Sequence, residues 1–434
     1  MKMRWFKQKI SSRFWRAWVF AYDHALRRHL PHGVVSPRYL LPGQSRKIRI
    51  HRRLWHDGLP QIPFPLYIMM ESFLWLCWVL FFGWRSTLSL VRRAGPEIKS
   101  AEDIGMFTLF RRVLGITLFY CVPPAEVYAF RLYRTGAKAH VWDYVFTHEV
   151  HAFHHWRSSR RGNSVKSRMI LSDKPQTAAI LEDHGVGVVP ILEVVPRCAK
   201  IDLSARLKEY PRLFCKPRRG SAGRGCFVVE RPEHGTEPKV FRTEAGIVTK
   251  TSTWSCLLEA AARDDYLVQP FMTNHPALAG LCETQDAITV RIITQMQGLN
   301  NVSIYSAVLE VPAPARSDQE PGLKRRAAGR GHLILPICPD TGVTERLSED
   351  CLNSSIKKHI EQVYAKLGSD PLPFWDELKN SALTAQALFP DVYAIAWDFV
   401  VTPDGPFLLE GNTGWGTRMP QICNGGLLED ETEA

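Results

Sequence analysis

The sequence predicts an α+β protein, with a largely helical N-terminal region followed by a region where short strands and helices alternate. Three stretches carry that expectation. Residues 64–84, FPLYIMMESFLWLCWVLFFGW, form an apolar run of helical length. Residues 213–229, LFCKPRRGSAGRGCFVV, set a glycine-rich turn between two apolar strands. Residues 393–416, YAIAWDFVVTPDGPFLLEGNTGWG, set two apolar runs around a Pro-Asp-Gly turn and read as a β-hairpin.

The chain has 434 residues, 45% of them hydrophobic, enough for two or three globular domains. Its ten cysteines include no CxxC pair, which argues for a reducing compartment and against a disulfide framework or structural zinc site. The net charge of +12 sits in residues 1–60, where fourteen Lys/Arg stand against two Asp. A basic end on a neutral body points to a local contact with an anionic surface, or to a solubilising extension. No nucleic-acid-binding module is present, so nucleic acid is not expected as a partner.

In chain order, Phe6, Ile10, Phe14, Trp18 and Tyr22 form a helical stripe among Lys and Arg. Such a helix suits an anionic membrane surface, and equally suits packing on the domain. Residues 31–63 read as loop with one short basic strand. In residues 64–84 the uninterrupted apolar run is Ser72 to Trp84, 13 residues, shorter than a span needs. Burial, shallow insertion and spanning all stay open, and residues 1–84 are the stretch expected to meet a membrane. Residues 98–160 read as helical. His148, His151 and His155 would share a helix face, but HEVHAFHH lacks the HExxH spacing of hydrolytic zinc sites, so a polar face is expected. The polar stretch SRRGNSVKS at 159–167 marks the main boundary. The expected organisation is a basic extension over 1–60, a helical region over 61–160 and a domain over 168–425, with a smaller lobe over about 200–265.

The chemistry-bearing residues lie in that last domain. Asp398 on one strand and Glu410 and Asn412 on the next offer carboxylate and amide oxygens, which suit Mg²⁺. Gly220, Gly223 and Gly225 in KPRRGSAGRG permit tight turns whose N–H groups face phosphate. That loop is neither a Walker loop nor a dinucleotide fingerprint. Lys174 opens a helix. Arg291, in ITVRIIT, projects from a strand where a guanidinium is costly unless it meets anions. A basic loop carrying Lys324 and Arg325 reads as acceptor recognition or as a solvated crossover. The tail after Gly425, LLEDETEA, reads as frayed.

SDK at 172–174, KPRRGSAGRG at 216–225, VQP at 268–270, TVR at 289–291 and EGN at 410–412 occur in an order that resembles the ATP-grasp superfamily. Within it they look most like the sugar-transfer-associated branch. The resemblance spans Ser172 to Gly416 and implies two α+β lobes with ATP held between them. It implies that Lys174, Lys216, Arg218, Gly220, Ser221, Gly223 and Gly225 meet phosphates under a lid, and that the backbone around Gln269, Pro270 and Phe271 holds adenine. It implies Mg²⁺ on Asp398, Glu410 and Asn412, catalytic roles for Lys216 and Arg291, and His275 lining the nucleotide or acceptor site. The implied reaction is carboxylate–amine ligation through an acylphosphate, on small-molecule substrates that the branch name points to as sugar-linked. A kinase acting on a hydroxyl and a non-catalytic membrane-associated scaffold are the alternatives. The implied location is cytoplasmic, at the inner face of the membrane.

Overall fold

The computed structural model describes residues 34–431 except 60–61, 163, 221–223, 232–237, 245–246, 253, 283–285, 299–300, 313–331 and 347–353. The expected stripe from Phe6 to Tyr22, and Ser221, Gly223, Lys324 and Arg325, lie outside the described residues. The chain divides into two compact units. The first is Met1–Trp156 with Ser348–Ser354 and Gly416–Ala434; the second is Arg157–Leu347 with Ser355–Trp415.

The described elements of the first unit are all helical. Helix Arg46–Asp57 replaces the short basic strand expected there. Ile48 and Ile50 alternate like a strand, but His51, Leu54 and Trp55 extend the pattern to helical spacing and are buried. A continuous helical run follows: Phe64–Cys77, a π-helical turn Trp78–Phe82, then Gly83–Glu102. Tyr67, Leu74, Val91, Ala94 and Ile98 from it join the unit's core with Val113, Tyr133 and Phe146.

The histidine-rich stretch also differs from expectation. Its helix starts at Val150, after a 3₁₀ turn Ala137–Asp143, so His148 lies outside it. Glu149, overlooked in the sequence, is the buried hub. It accepts from Tyr39 Oη at 2.9 Å, His51 Nδ1 at 2.9 Å and the Phe146 N–H at 3.1 Å. His51 Nε2 meets the Trp142 carbonyl at 3.1 Å. The tail is packed rather than frayed as far as Glu431. Leu428 is fully buried, its N–H donates to the Asp143 carbonyl, and Glu431 pairs with Arg46 at 3.1 Å. Two leucines in LLEDETEA supply the apolar anchor that a reading by charge misses.

The second unit holds two antiparallel sheets. The first contains β1 (Glu193–Val195), β2 (Arg212–Pro217), β3 (Cys226–Glu230), β4 (Lys239–Glu244), β5 (Ile247–Ser252) and β6 (Tyr266–Pro270), in the order β1-β6-β2-β3-β4-β5. The second contains β7 (Thr289–Met296), β8 (Val302–Pro312), β9 (His332–Ile337), β10 (Ala394–Thr402) and β11 (Gly405–Asn412), in the order β11-β10-β7-β8-β9. The stretch from Gly187 to Leu192 stitches the two together. Val189 N–H bonds the Leu408 carbonyl of β11, and Leu192 N–H bonds the Val268 carbonyl of β6.

β10 is buried along its whole length, so it reads as a nearly continuous apolar run. Its Trp397 Nε1 donates to Thr294 Oγ1 at 2.9 Å, and Thr294 Oγ1 donates to Gln386 Oε1 at 3.0 Å, so this buried polar chain is satisfied. Gly411 lies opposite Trp397. A Cβ there would stand 2.4 Å from the indole, which explains the glycine between Glu410 and Asn412.

Candidate functional site

Sheet register assembles the charged cluster. Asp398 on β10 lies opposite Arg291 on β7 and opposite Glu410 on β11. Asn412, two residues beyond Glu410, therefore falls on the same face. Arg291 Nε and Nη2 donate to the two Asp398 carboxylate oxygens at 2.6 and 2.9 Å, and Nη1 donates to Glu310 Oε1 at 2.7 Å. The Asn412 amide bridges Asp398 at 3.2 Å and Glu410 at 3.0 Å. Glu310, on β8, was not singled out in the sequence. Its signal is the lone acidic residue in the apolar strand VSIYSAVLEV, one register step from the strand that carries Arg291.

Asp398 is 5% exposed, while Glu310, Glu410 and Asn412 are half-buried. Burial pushes the Asp398 carboxyl up to about 6, against the opposing pull of the Arg291 guanidinium. Burial works against the charge on Arg291, but Asp398, Glu310 and Glu410 outweigh it and hold its pKa above the ordinary value. One guanidinium thus faces three carboxylates, two of them directly opposed across neighbouring strands. Like charges so placed repel unless a cation stands between them. The donor set of two carboxylates and an amide fits Mg²⁺. Among the described residues, no cluster of three or more His, Cys, Asp or Glu forms a metal site.

Beside this cluster is a pocket between the two sheets, lined by Lys174, Val189, Lys216, Gln269, Leu409 and Glu410. Lys216 enters it from β2, where alternation turns the side chain inward. It is 8% exposed, and its Nζ reaches the Leu409 carbonyl at 3.5 Å, a long contact for an ammonium. Burial, with Lys174 nearby, pushes its pKa down to about 8. The Gln269 side chain is buried and donates to the Val189 carbonyl at 3.0 Å, which fixes the pocket wall. Pro270 pairs with Leu213, and Phe271 lies under the Arg212 guanidinium at 3.9 Å.

Arg218 and Gly220, where the glycine-rich turn begins, are held beside this pocket. Lys174 Nζ donates to the Gly220 carbonyl at 2.8 Å. Arg218 clasps Asp173, its Nε at 3.1 Å and Nη2 at 2.8 Å, and reaches Asp265 at 3.5 Å. Burial lifts the Asp173 carboxyl, but Arg218 outweighs it and holds the pKa below the usual carboxylate value. Gly220 and Gly225 have φ of 113° and 74°, values that L side chains rarely adopt. Arg218 therefore faces carboxylates rather than the pocket. His275 caps helix Pro276–Ala279, accepting from the Ala277 N–H at 3.2 Å, and stacks edge-on to Phe374.

Several solved structures are similar to the chain at a low level. A D-alanine–D-alanine ligase from Bacillus anthracis, complexed with ATP, is 10% identical over 56% of this chain and 55% of its own, with a TM-score of 0.31. A biotin carboxylase from Campylobacter jejuni is 16% identical over 58% and 43%, with a TM-score of 0.32. The ATP-grasp ligase PsnB, complexed with minimal precursor, Mg and ADP, is 14% identical over 60% and 55%, with a TM-score of 0.29. The chain spans about half the length of these proteins. No curated protein matches its sequence. Residues 156–434 match the family described as sugar-transfer associated ATP-grasp, and this chain belongs to that family.

Proposed function

We propose that this protein is an ATP- and Mg²⁺-dependent carboxylate–amine ligase acting on small, sugar-linked substrates. The observation that carries the reading is the pairing of opposite electrostatic needs along β11. Lys216, with Lys174 nearby, offers buried positive charge at Leu409; Asp398, Glu410 and Asn412 gather negative charge and oxygen donors beside it. A magnesium nucleoside triphosphate complements both ends at once.

In this reading Lys174 and Lys216 hold the phosphates, and Asp398, Glu410 and Asn412 hold Mg²⁺. The ion neutralises phosphate charge and draws electron density from the transferred group. Arg291 stabilises charge on the transferred phosphoryl group, with Asp398 and Glu310 fixing its orientation. The backbone around Gln269, Pro270 and Phe271 receives the base, and His275, Lys324 and Arg325 are candidates for acceptor contacts. A substrate carboxylate oxygen attacks the γ-phosphorus and ADP leaves. The amine nitrogen then attacks the acyl carbon, phosphate leaves, and the nitrogen loses a proton. The protein is proposed to work in the cytoplasm, with residues 1–84 against the inner face of the membrane.

Hydroxyl phosphorylation uses the same phosphate contacts and is the second reading. Incubation with ATP, Mg²⁺ and a metabolite extract, followed by mass analysis, separates the two. A condensed product with free phosphate supports ligation; a phosphorylated product without free phosphate overturns it in favour of a kinase.

A further inference from the structure

The first unit carries a surface whose chemistry the ATP-grasp site does not use. The helical run Phe64–Glu102 buries one face, through Tyr67, Leu74, Val91, Ala94 and Ile98, in the unit's core. Its other face leaves Leu66, Met69, Leu76, Leu80, Phe81 and Leu88 exposed, with Met69 at 62% and Leu80 at 55%. Their spacing follows a single helix side, with the π-helical turn Trp78–Phe82 adjusting the phase. At a rise of 1.5 Å per residue the stripe from Leu66 to Leu88 is about 33 Å long. Contiguous apolar surface of this kind marks an interaction site.

The residues that accompany the stripe point to the partner. Toward the C-terminal end come Trp84 and Arg85, then Leu88, Arg92 and Arg93, all exposed. Exposed apolar side chains accompanied by an interfacial aromatic and by guanidinium groups suit a helix lying at the surface of an anionic bilayer, where the apolar groups meet hydrocarbon and the arginines meet phosphate headgroups. Because the opposite face of the helix is packed in protein, the helix cannot be surrounded by lipid. We infer that it lies on an anionic phospholipid bilayer, with Leu66, Met69, Leu76 and Leu80 inserted shallowly and Arg85, Arg92 and Arg93 at the headgroups. This deepens the membrane location proposed above and is independent of the reaction catalysed.

The test is co-sedimentation of the full chain with vesicles of phosphatidylglycerol and phosphatidylcholine, and with phosphatidylcholine vesicles alone. The wild type is expected to bind the anionic vesicles more tightly. Leu76→Glu with Leu80→Glu is expected to lower the partition coefficient about 100-fold, since two exposed apolar side chains lose their burial in lipid. Arg92→Glu with Arg93→Glu is expected to lower binding to the anionic vesicles tenfold or more and leave binding to the neutral ones unchanged. Circular dichroism checks that each variant keeps its fold. A measurement that leaves the stripe intact is quenching of tryptophan fluorescence by brominated lipid, expected for the wild type and reduced in Trp84→Phe. The inference is overturned if no vesicle is bound. It is equally overturned if Leu76→Glu with Leu80→Glu binds like the wild type, or instead converts a dimer to a monomer. Loss of all binding in Phe14→Glu with Trp18→Glu, with the stripe variant unaffected, assigns the membrane contact to the N-terminal segment and overturns it too. None of these readouts involves ATP turnover, so they stand or fall apart from the ligase reading.

Discussion

Arg291 and Asp398 face each other across β7 and β10, and the guanidinium holds both carboxylate oxygens, at 2.6 and 2.9 Å. This bidentate pair orients Arg291 within a buried cluster. Asp398→Asn removes the charge that balances the guanidinium and one of the oxygen donors proposed for Mg²⁺. Losing one partner of a buried pair costs about 3 kcal/mol of stability. Urea unfolding is expected to show a loss of that size, and Mg²⁺-dependent ATP turnover to fall by about 100-fold or more. Unchanged turnover in Asp398→Asn removes this cluster from the reaction.

Glu310 holds the remaining Arg291 nitrogen at 2.7 Å. It acts through Arg291, so Glu310→Ala is expected to lower kcat about tenfold while leaving the KM for ATP within about twofold. Glu310→Gln, which keeps an acceptor, is expected to recover most of the loss. Steady-state kinetics decide this. Equal losses in the two variants point to the charge of Glu310, not the orientation it gives Arg291.

Lys216 carries the pH dependence. Burial and the neighbouring Lys174 lower its pKa to about 8 in the free protein, and a triphosphate bound as proposed would restore the proton. The pKa would thus rise on binding, so affinity is full below pH about 8 and is lost as pH rises from there through the higher pKa of the complex. Calorimetry near that pH, in buffers of different ionisation enthalpy, is expected to show proton uptake on nucleotide binding. A binding enthalpy that is the same in every buffer counts against this role.

Gly411→Ala drives a methyl group into the Trp397 ring, 2.4 Å from its nearest atom. Overpacking of this kind costs about 1–3 kcal/mol. Urea unfolding is expected to register it, with Trp397→Leu in the same chain relieving part of the loss. An additive double variant would show that the glycine serves something other than the indole.

How much of this was legible in the sequence differs from element to element. The hairpin of β10 and β11 was readable because its apolar runs and Pro403-Asp404-Gly405 turn are local signals. The convergence of Asp398, Glu410 and Asn412 followed from the strand period. Glu310 was not readable, because its place beside Arg291 depends on which strand pairs with β7, a long-range choice. The engagement of Arg218 with Asp173 was hidden for the same reason: the two are 45 residues apart. Composition misled in the C-terminal tail, where two leucines outweigh four acidic side chains. It also misled at residues 46–57, where Ile48 and Ile50 imitate a strand until Leu54 and Trp55 are counted.

Ligase activity is tested most directly by product analysis after incubating the full chain with ATP, Mg²⁺ and a metabolite extract, with Lys216→Ala alongside. Ligation yields ADP, free phosphate and a product that joins a carboxylate to an amine with loss of water, all absent from the variant. A product carrying the phosphoryl group, or equal turnover by Lys216→Ala, would contradict it.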